Sequence, residues 1–141
     1  MHMATHTQKR ILLVDDNPID LLVHRKMLEK AGMTAVHTAG SGQEALQYLD
    51  DCASTGQYPD LLLLDIHMPV MGGLEFLARY CTRESWRRPV TLKIILLTSS
   101  IDPMDRLQAA SCGVDTFMEK PLNLEKLLAL LREEAGAVQP A

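Results

Sequence analysis

The sequence is poor in the features that would place it outside the cell or in a membrane. It has three cysteines, at positions 52, 81 and 112; they are odd in number, widely spaced and form no CxxC pair. They read as free, partly buried thiols in a reducing compartment rather than as a disulfide framework. No apolar stretch approaches the roughly 18 residues of a membrane span. The polar stretch from Met1 to Gln8 lacks the apolar core of a signal peptide. The expected setting is therefore cytoplasmic, with no membrane partner. Positive charge is not in excess either. The net charge is -4, so there is no electrostatic case for a nucleic-acid partner. The basic pairs Lys9-Arg10 and Arg87-Arg88 read as solvated surface. No internal repeat, heptad or low-complexity tract is present.

What is present is the composition of one ordinary globular domain: 141 residues, 47% hydrophobic and 23% charged. A chain of this size buries roughly two-thirds of its unfolded surface. Apolar runs of strand character alternate with helical patterns. The runs are Ile11 to Val14, a short one around Thr34 to Thr38, Leu61 to Leu64, Ile94 to Leu97, and a weaker one near Val114 to Met118. Leu61 to Leu64 has no polar alternation, as expected of a strand covered on both faces. Between the runs lie helix signals. Asn17-Pro18 is a cap followed by proline at the first helical position, and Ile19, Leu22, Val23 and Met27 then recur at helical spacing up to Gly32. Ser41 with Glu44 reads as a capping box for a helix carrying Ala45, Leu46 and Leu49. Gly72-Gly73 precedes a helix from Leu74 to Ser85, Asp102-Pro103 repeats the cap-plus-proline signal, and Asn123 caps a last helix with Leu124, Leu127, Leu128 and Leu131 on one face. The segments 51–59 and 83–91 read as connections, and methionines such as Met27, Met104 and Met118 as core filler. Five β-α units predict a doubly wound α/β fold, a parallel sheet with helices on both faces.

The chemistry-bearing residues close the strand-like runs. Asp15-Asp16, Asp65, Thr98 and Lys120 each follow one. In an open parallel sheet, ligands bind outside the carboxyl ends of the strands, where strand order reverses. Three carboxylates brought together there repel. At 4 Å and an effective dielectric near 20 each pair costs about 4 kcal/mol, so either a proton or a cation must join them. Mg²⁺ suits such a site, being a hard, oxygen-seeking ion that keeps part of its water. A carboxylate held on a rigid strand, Asp65, suits an attacking nucleophile that forms an acyl phosphate. An ammonium from Lys120 and a hydroxyl from Thr98 could neutralise and hold the transferring phosphoryl group. Taken singly, each residue has a plainer reading. Asp15-Asp16 would then be helix-terminus acids, Thr98 a β-branched strand residue and Lys120 a surface lysine.

With these residues in order, the chain resembles the receiver domain of two-component response regulators, of the chemotaxis-receiver-like, stand-alone type. The matching elements are Asp15-Asp16 after ILLV, the run Asp65-Ile66-His67-Met68-Pro69-Val70-Met71-Gly72-Gly73 against the family's D-x-x-M-P-x-M-x-G, Thr98-Ser99 after IILL, and Lys120-Pro121. The resemblance implies a flavodoxin-like (βα)5 fold with strand order 2-1-3-4-5, a receiver domain over residues 9–134, and flexible termini at 1–8 and 135–141. It implies Asp65 as phosphoacceptor, Mg²⁺ held by Asp16, Asp65 and the His67 main-chain carbonyl with Asp15 acting through water, Thr98 and Lys120 binding the phosphoryl group, and a cis Lys120-Pro121 bond. It also implies a sensor histidine kinase or histidine phosphotransfer protein as donor, a downstream protein that reads the switch, and possible homodimerisation. On this reading the protein is a signalling switch that catalyses only its own phosphorylation and autodephosphorylation. Two departures stand out. Gly72 occupies a position where the family usually has Asp or Asn. Phe117 holds the switch-aromatic position, often Tyr in the family. His67 and Ser100, two residues beyond Asp65 and Thr98, occupy positions that tune dephosphorylation, whereas His24 and His37 are expected to be surface or half-buried residues. The alternatives are an aspartyl-nucleophile phosphatase of haloacid-dehalogenase type, which normally needs a second Asp where His67 stands, and a receiver-like interaction module that is not phosphorylated.

Overall fold

The computed structural model describes residues 9–82, 92–99, 102–114 and 116–138, with only the backbone course for 133–138. The expected connection at 83–91 and Ser100 lie outside the described residues. Five strands and five helices alternate in these described residues: β1 (Arg10–Val14), α1 (Pro18–Lys30), β2 (Ala35–Ala39), α2 (Gly42–Thr55), β3 (Leu61–Asp65), α3 (Gly73–Cys81), β4 (Lys93–Thr98), α4 (Pro103–Ala110), β5 (Phe117–Glu119) and α5 (Leu124–Val138). The strands form one parallel sheet in the order β2-β1-β3-β4-β5, as expected.

Because successive side chains of a strand point to opposite faces, residue parity sorts the core into two. Leu12, Val14, Leu62, Leu64, Ile94 and Leu96 pack with α2, α3 and Ala109 of α4. Ile11, Leu13, Leu61, Leu63, Ile95 and Leu97 pack with Leu28 of α1 and Leu127 of α5. Every residue of β3 is buried, and Leu62, Leu63 and Leu64 are fully so. Burying a leucine side chain contributes about 1.5–3 kcal/mol, so this strand is a fixed platform for the residue that ends it. The order reverses beside β1, whose neighbours are β2 and β3, and that places the ends of β1 and β3 next to each other: Val14 pairs with Leu64 one residue before Asp15 and Asp65.

Helix starts follow their caps. The Asn17 side chain accepts from the Ile19 and Asp20 N–H groups, Asp102 caps Met104, and Asn123 accepts from Lys126 N–H. Ser41 Oγ accepts from Glu44 N–H at 3.1 Å, while the Glu44 carboxylate turns back to the Gly40 N–H, giving the reciprocal box one residue further out than expected.

Several boundaries differ from the sequence expectation. α2 runs on to Thr55 through what looked like a polar loop, because Cys52 extends its buried stripe and only Gly56, at φ 77°, turns the chain out of the helix. α3 ends at Cys81 rather than Ser85, with the Thr82 hydroxyl donating back to the Ala78 carbonyl. β5 starts at Phe117, since Val114 closes the turn after α4 by donating to the Ala109 carbonyl. α5 continues past Glu134 to Val138 through alanines that favour helix. The buried face of α1 is also not the one the apolar pattern suggested. Ile19, Leu22 and Val23 are exposed, whereas His24 and Leu28 are buried and Leu21 and Met27 half-buried. Met104, expected as core filler, is exposed on α4, whereas Met118 is buried.

Gly73 sets how closely α3 approaches the end of β3. A Cβ at this position would collide with the Asp65 carbonyl oxygen and lie 2.9 Å from the Ile66 Cα, both backbone atoms. Gly73→Ala is therefore expected to lower unfolding free energy by about 1–3 kcal/mol, measured by urea denaturation. It should weaken the site as well, because relief requires moving the chain at Asp65.

Candidate functional site

Asp15 follows β1 as a fully buried carboxylate, and its two oxygens have separate partners. Oδ1 accepts from the Asn17 N–H at 3.0 Å and Oδ2 from Lys120 Nζ at 2.8 Å. Asp16, next along, is exposed. Asp65, 4% exposed, ends β3, and its Oδ1 accepts from the His67 N–H at 3.2 Å. The three carboxylates offer oxygens that all lie within 4.8 Å of one another. Lys120 reaches over from the loop after β5. Its Nζ stands 2.8 Å from Asp15, 3.1 Å from Asp20 and 3.5 Å from Asp65. Asp15, Asp16, Asn17, Asp20, Asp65, His67, Ser99 and Lys120 line an open cleft of about 280 Å³ at the carboxyl edge of the sheet. The Lys120-Pro121 bond is cis.

The electrostatics follow from this crowding. Burial, and then the nearby Asp15 charge, push the Asp65 carboxyl up to about 6, against the opposing pull of Lys120 and the His67 N–H. Burial alone would lower Lys120, but hydrogen bonds to Asp15 and Asp20 and the charge of Asp65 outweigh it and hold the ammonium well above its ordinary range. Lys120 is thus a fixed positive charge, while Asp65 loses its proton near neutrality. The carboxylates also suit a divalent cation. A hard, oxygen-seeking ion such as Mg²⁺ would find oxygen ligands here and would keep part of its hydration shell.

Most of the expected site residues come together here, and some do not. Thr98 ends β4 fully buried and is not part of the cleft lining; its carbonyl accepts from the Lys120 N–H at 2.8 Å, and Ser99 lines the cleft beside it. His67 is exposed at the rim. Phe117 lies away from the cleft, half-buried on β5, with the Arg106 guanidinium 4.9 Å above its ring. His37 is exposed and stacks on Tyr48. His24 departs from expectation: it is 2% exposed, because its Nε2 accepts the Leu122 N–H at 3.1 Å and so joins α1 to the loop carrying Lys120. Asp20, which the motif reading passed over, is a direct partner of Lys120. Its acidic place in the first turn of α1 already accounts for it as a partner of the helix dipole, which masked the second role.

Residues 11–132 match the response regulator receiver domain. The chain belongs to that family. It is 38% identical over 132 residues to the transcriptional regulatory protein TrcR of Mycobacterium tuberculosis, covering 94% of this chain and 47% of that protein. It is 29% identical over 135 residues to the osmosensing histidine protein kinase SLN1 of Saccharomyces cerevisiae, covering 94% of this chain and 11% of that one. Among solved structures, the chemotaxis protein CheY4 of Vibrio cholerae is similar at a TM-score of 0.69 and 30% identity, covering 89% of this chain and 97% of that chain. The bacteriophytochrome response regulator AtBRR is similar at 0.72 and 32%, covering 89% and 91%. The chain spans about half the length of the curated transcriptional regulators it matches. Receiver domains thus occur in regulators, in kinases and as short chains, and this chain shares their fold and signalling class.

The raised Asp65 value has a thermodynamic consequence in metal-free buffer. The folded state prefers the protonated acid, so this contribution to stability is complete below about 3.8 and is lost as pH rises through about 6. Asp65→Asn is expected to melt several degrees above the parent at pH 7.5 and close to it at pH 4. Paired thermal melts in a chelating buffer check this.

Proposed function

We propose that this receiver domain is a phosphorylation switch in which Asp65 accepts a phosphoryl group from the phosphohistidine of a sensor histidine kinase or a histidine phosphotransfer protein. The observation that carries the reading is the convergence of three carboxylates and one ammonium in a single cleft at the sheet edge. At pH 7 the Asp65 carboxylate is mostly ionised and can attack phosphorus. An O–P bond forms, the P–N bond of the phosphohistidine breaks, and the imidazole leaves and takes up a proton. Reversal of the switch is hydrolysis: water attacks phosphorus, the Asp65 O–P bond breaks, and the carboxylate returns.

Asp16, Asp65 and the His67 main-chain carbonyl would hold Mg²⁺, with Asp15 bonding its water. Bound there, the ion would offset the negative charge of carboxylates and phosphoryl oxygens. Lys120 is already placed to exchange its contact with Asp65 for a phosphoryl oxygen, while Asp15 and Asp20 keep it charged and within reach. Thr98 is buried at the end of β4. Its move toward a phosphoryl oxygen would open the space into which Phe117 turns, at the expense of the Arg106 contact. His67, exposed at the rim, and Ser100 would tune access of the hydrolytic water.

The signal would leave through α4, β5 and α5. Met104 and Leu107, each about two-thirds exposed on α4, suit a partner protein or a second copy of the receiver. Phosphorylation would act by shifting a pre-existing equilibrium of this face. Among the described residues no helix is long and apolar enough to cross a membrane, and the three cysteines are unpaired by disulfide. A donor kinase or phosphotransfer protein with a cytoplasmic phosphohistidine would place this domain in the cytoplasm beside it.

Incubation with Mg²⁺ and a small acyl-phosphate donor is expected to give one acid-stable, base-labile phosphoryl adduct by intact mass, and Asp65→Asn is expected to give none. An adduct on Asp65→Asn at the parent's rate would refute the assignment. In a second comparison, Lys120→Ala is expected to form adduct far more slowly, by roughly the 10²–10³-fold typical of losing one preorganised electrostatic group. Time-resolved mass spectrometry measures both.

A further inference from the structure

His24 is a buried titratable side chain with no part in the chemistry above, and it is tied to the site by geometry. It lies on α1 one turn beyond Asp20, so both side chains project from the same helix face. Both grip the same loop. Asp20 Oδ2 accepts from Lys120 Nζ at 3.1 Å, and His24 Nε2 accepts from Leu122 N–H at 3.1 Å, on either side of the cis Pro121.

The bond fixes the chemical state of the ring. A nitrogen that accepts a hydrogen bond carries no proton, so the imidazole is neutral with its proton on Nδ1. Nδ1 has no partner among the described residues. The surroundings favour the neutral form on balance. Burial lowers its proton affinity most, and Lys120 from the β5–α5 loop adds to this, against Asp20 on α1 and Asp15 at the end of β1. Leu122 itself is 2% exposed, so its N–H has no ready access to water, and without His24 a buried donor would be left unpaired. An apolar side chain at position 24 would fill the space and fail at that point.

We propose that His24 is a positioning residue of the phosphoryl site: its neutral ring holds the Leu122 N–H and so fixes the backbone from which Lys120 reaches Asp65. The proposal rests on Lys120 being the phosphoryl-binding ammonium. A lysine side chain has four rotatable bonds, and its reach is set by where its main chain is anchored. Asp20 and the Thr98 carbonyl anchor Lys120 at the ammonium and at the N–H; His24 anchors the residue that follows the proline.

The test compares the full chain with His24→Leu and His24→Gln, the latter retaining an acceptor oxygen. At saturating Mg²⁺ and pH 7.5, His24→Leu is expected to take a phosphoryl group from the acyl-phosphate donor roughly tenfold more slowly at saturating donor, since small misplacements of a catalytic group cost rate on this scale. Half-saturation by donor should stay near that of the parent, and His24→Gln should recover most of the rate. Nitrogen-15 spectra of the parent are expected to show the Nδ1–H tautomer with Nε2 unprotonated. Parent-like rates in a folded His24→Leu protein, no recovery by glutamine, or a proton on Nε2 would each overturn the proposal. If His24→Leu does not fold, the glutamine variant and the tautomer spectrum decide. A parent chain that itself forms no adduct would instead refute the reading of Asp65 and Lys120, and this proposal with it.

Discussion

Repulsion among Asp15, Asp16 and Asp65 is the constraint around which this structure is arranged. The sheet forces the three carboxylates to within 4.8 Å, two of them buried. Removing one partner of a buried ion pair costs about 3–5 kcal/mol, so such a cluster needs a positive charge or a proton held against it. Lys120 supplies that charge from the far side of the strand order, on a loop anchored at Thr98, Asp20 and His24. The resting site is therefore a balance in which one ammonium is shared by several acids. On the proposed reading, a phosphoryl group or a divalent cation would alter that balance directly, which would make the site a switch rather than a static ion pair.

The fold places the groups with little freedom. β3 is buried along its whole length, and Gly73 lets α3 pack directly on the backbone at Asp65. Asp65, the proposed acceptor, is thus held on a rigid strand end. Thr98 ends β4, Phe117 starts the neighbouring β5, and Arg106 of α4 lies over the Phe117 ring on the helix that exposes Met104 and Leu107. On the proposed reading, these residues would carry a change at the acid cluster to that exposed face.

Much of this was legible in the sequence because strand ends in a parallel α/β fold are marked by where apolar runs stop. Asp15, Asp16, Asp65, Thr98 and Lys120 could be read from that punctuation together with their order. Asp20 and His24 could not, because they sit on a helix whose apolar spacing pointed to the wrong face. Ile19, Leu22 and Val23 look like the core stripe, but the buried stripe runs through Leu21, His24 and Leu28, with Asp20 half-buried at its start. A helix that faces a charged loop buries polar groups with their partners, and hydrophobic periodicity is blind to that arrangement. One loop boundary also shifted: composition made 51–59 read as a connection, whereas α2 continues to Thr55 and the left-handed Gly56 marks its end.

The most direct measurement is a carboxyl carbon-13 titration of Asp65 in the metal-free chain and in Lys120→Met. If the shared ammonium holds the cluster together, the parent carboxyl titrates near 6 and moves clearly higher when Lys120 loses its charge. A midpoint in the ordinary aspartate range, or one that Lys120→Met leaves unchanged, would contradict the account.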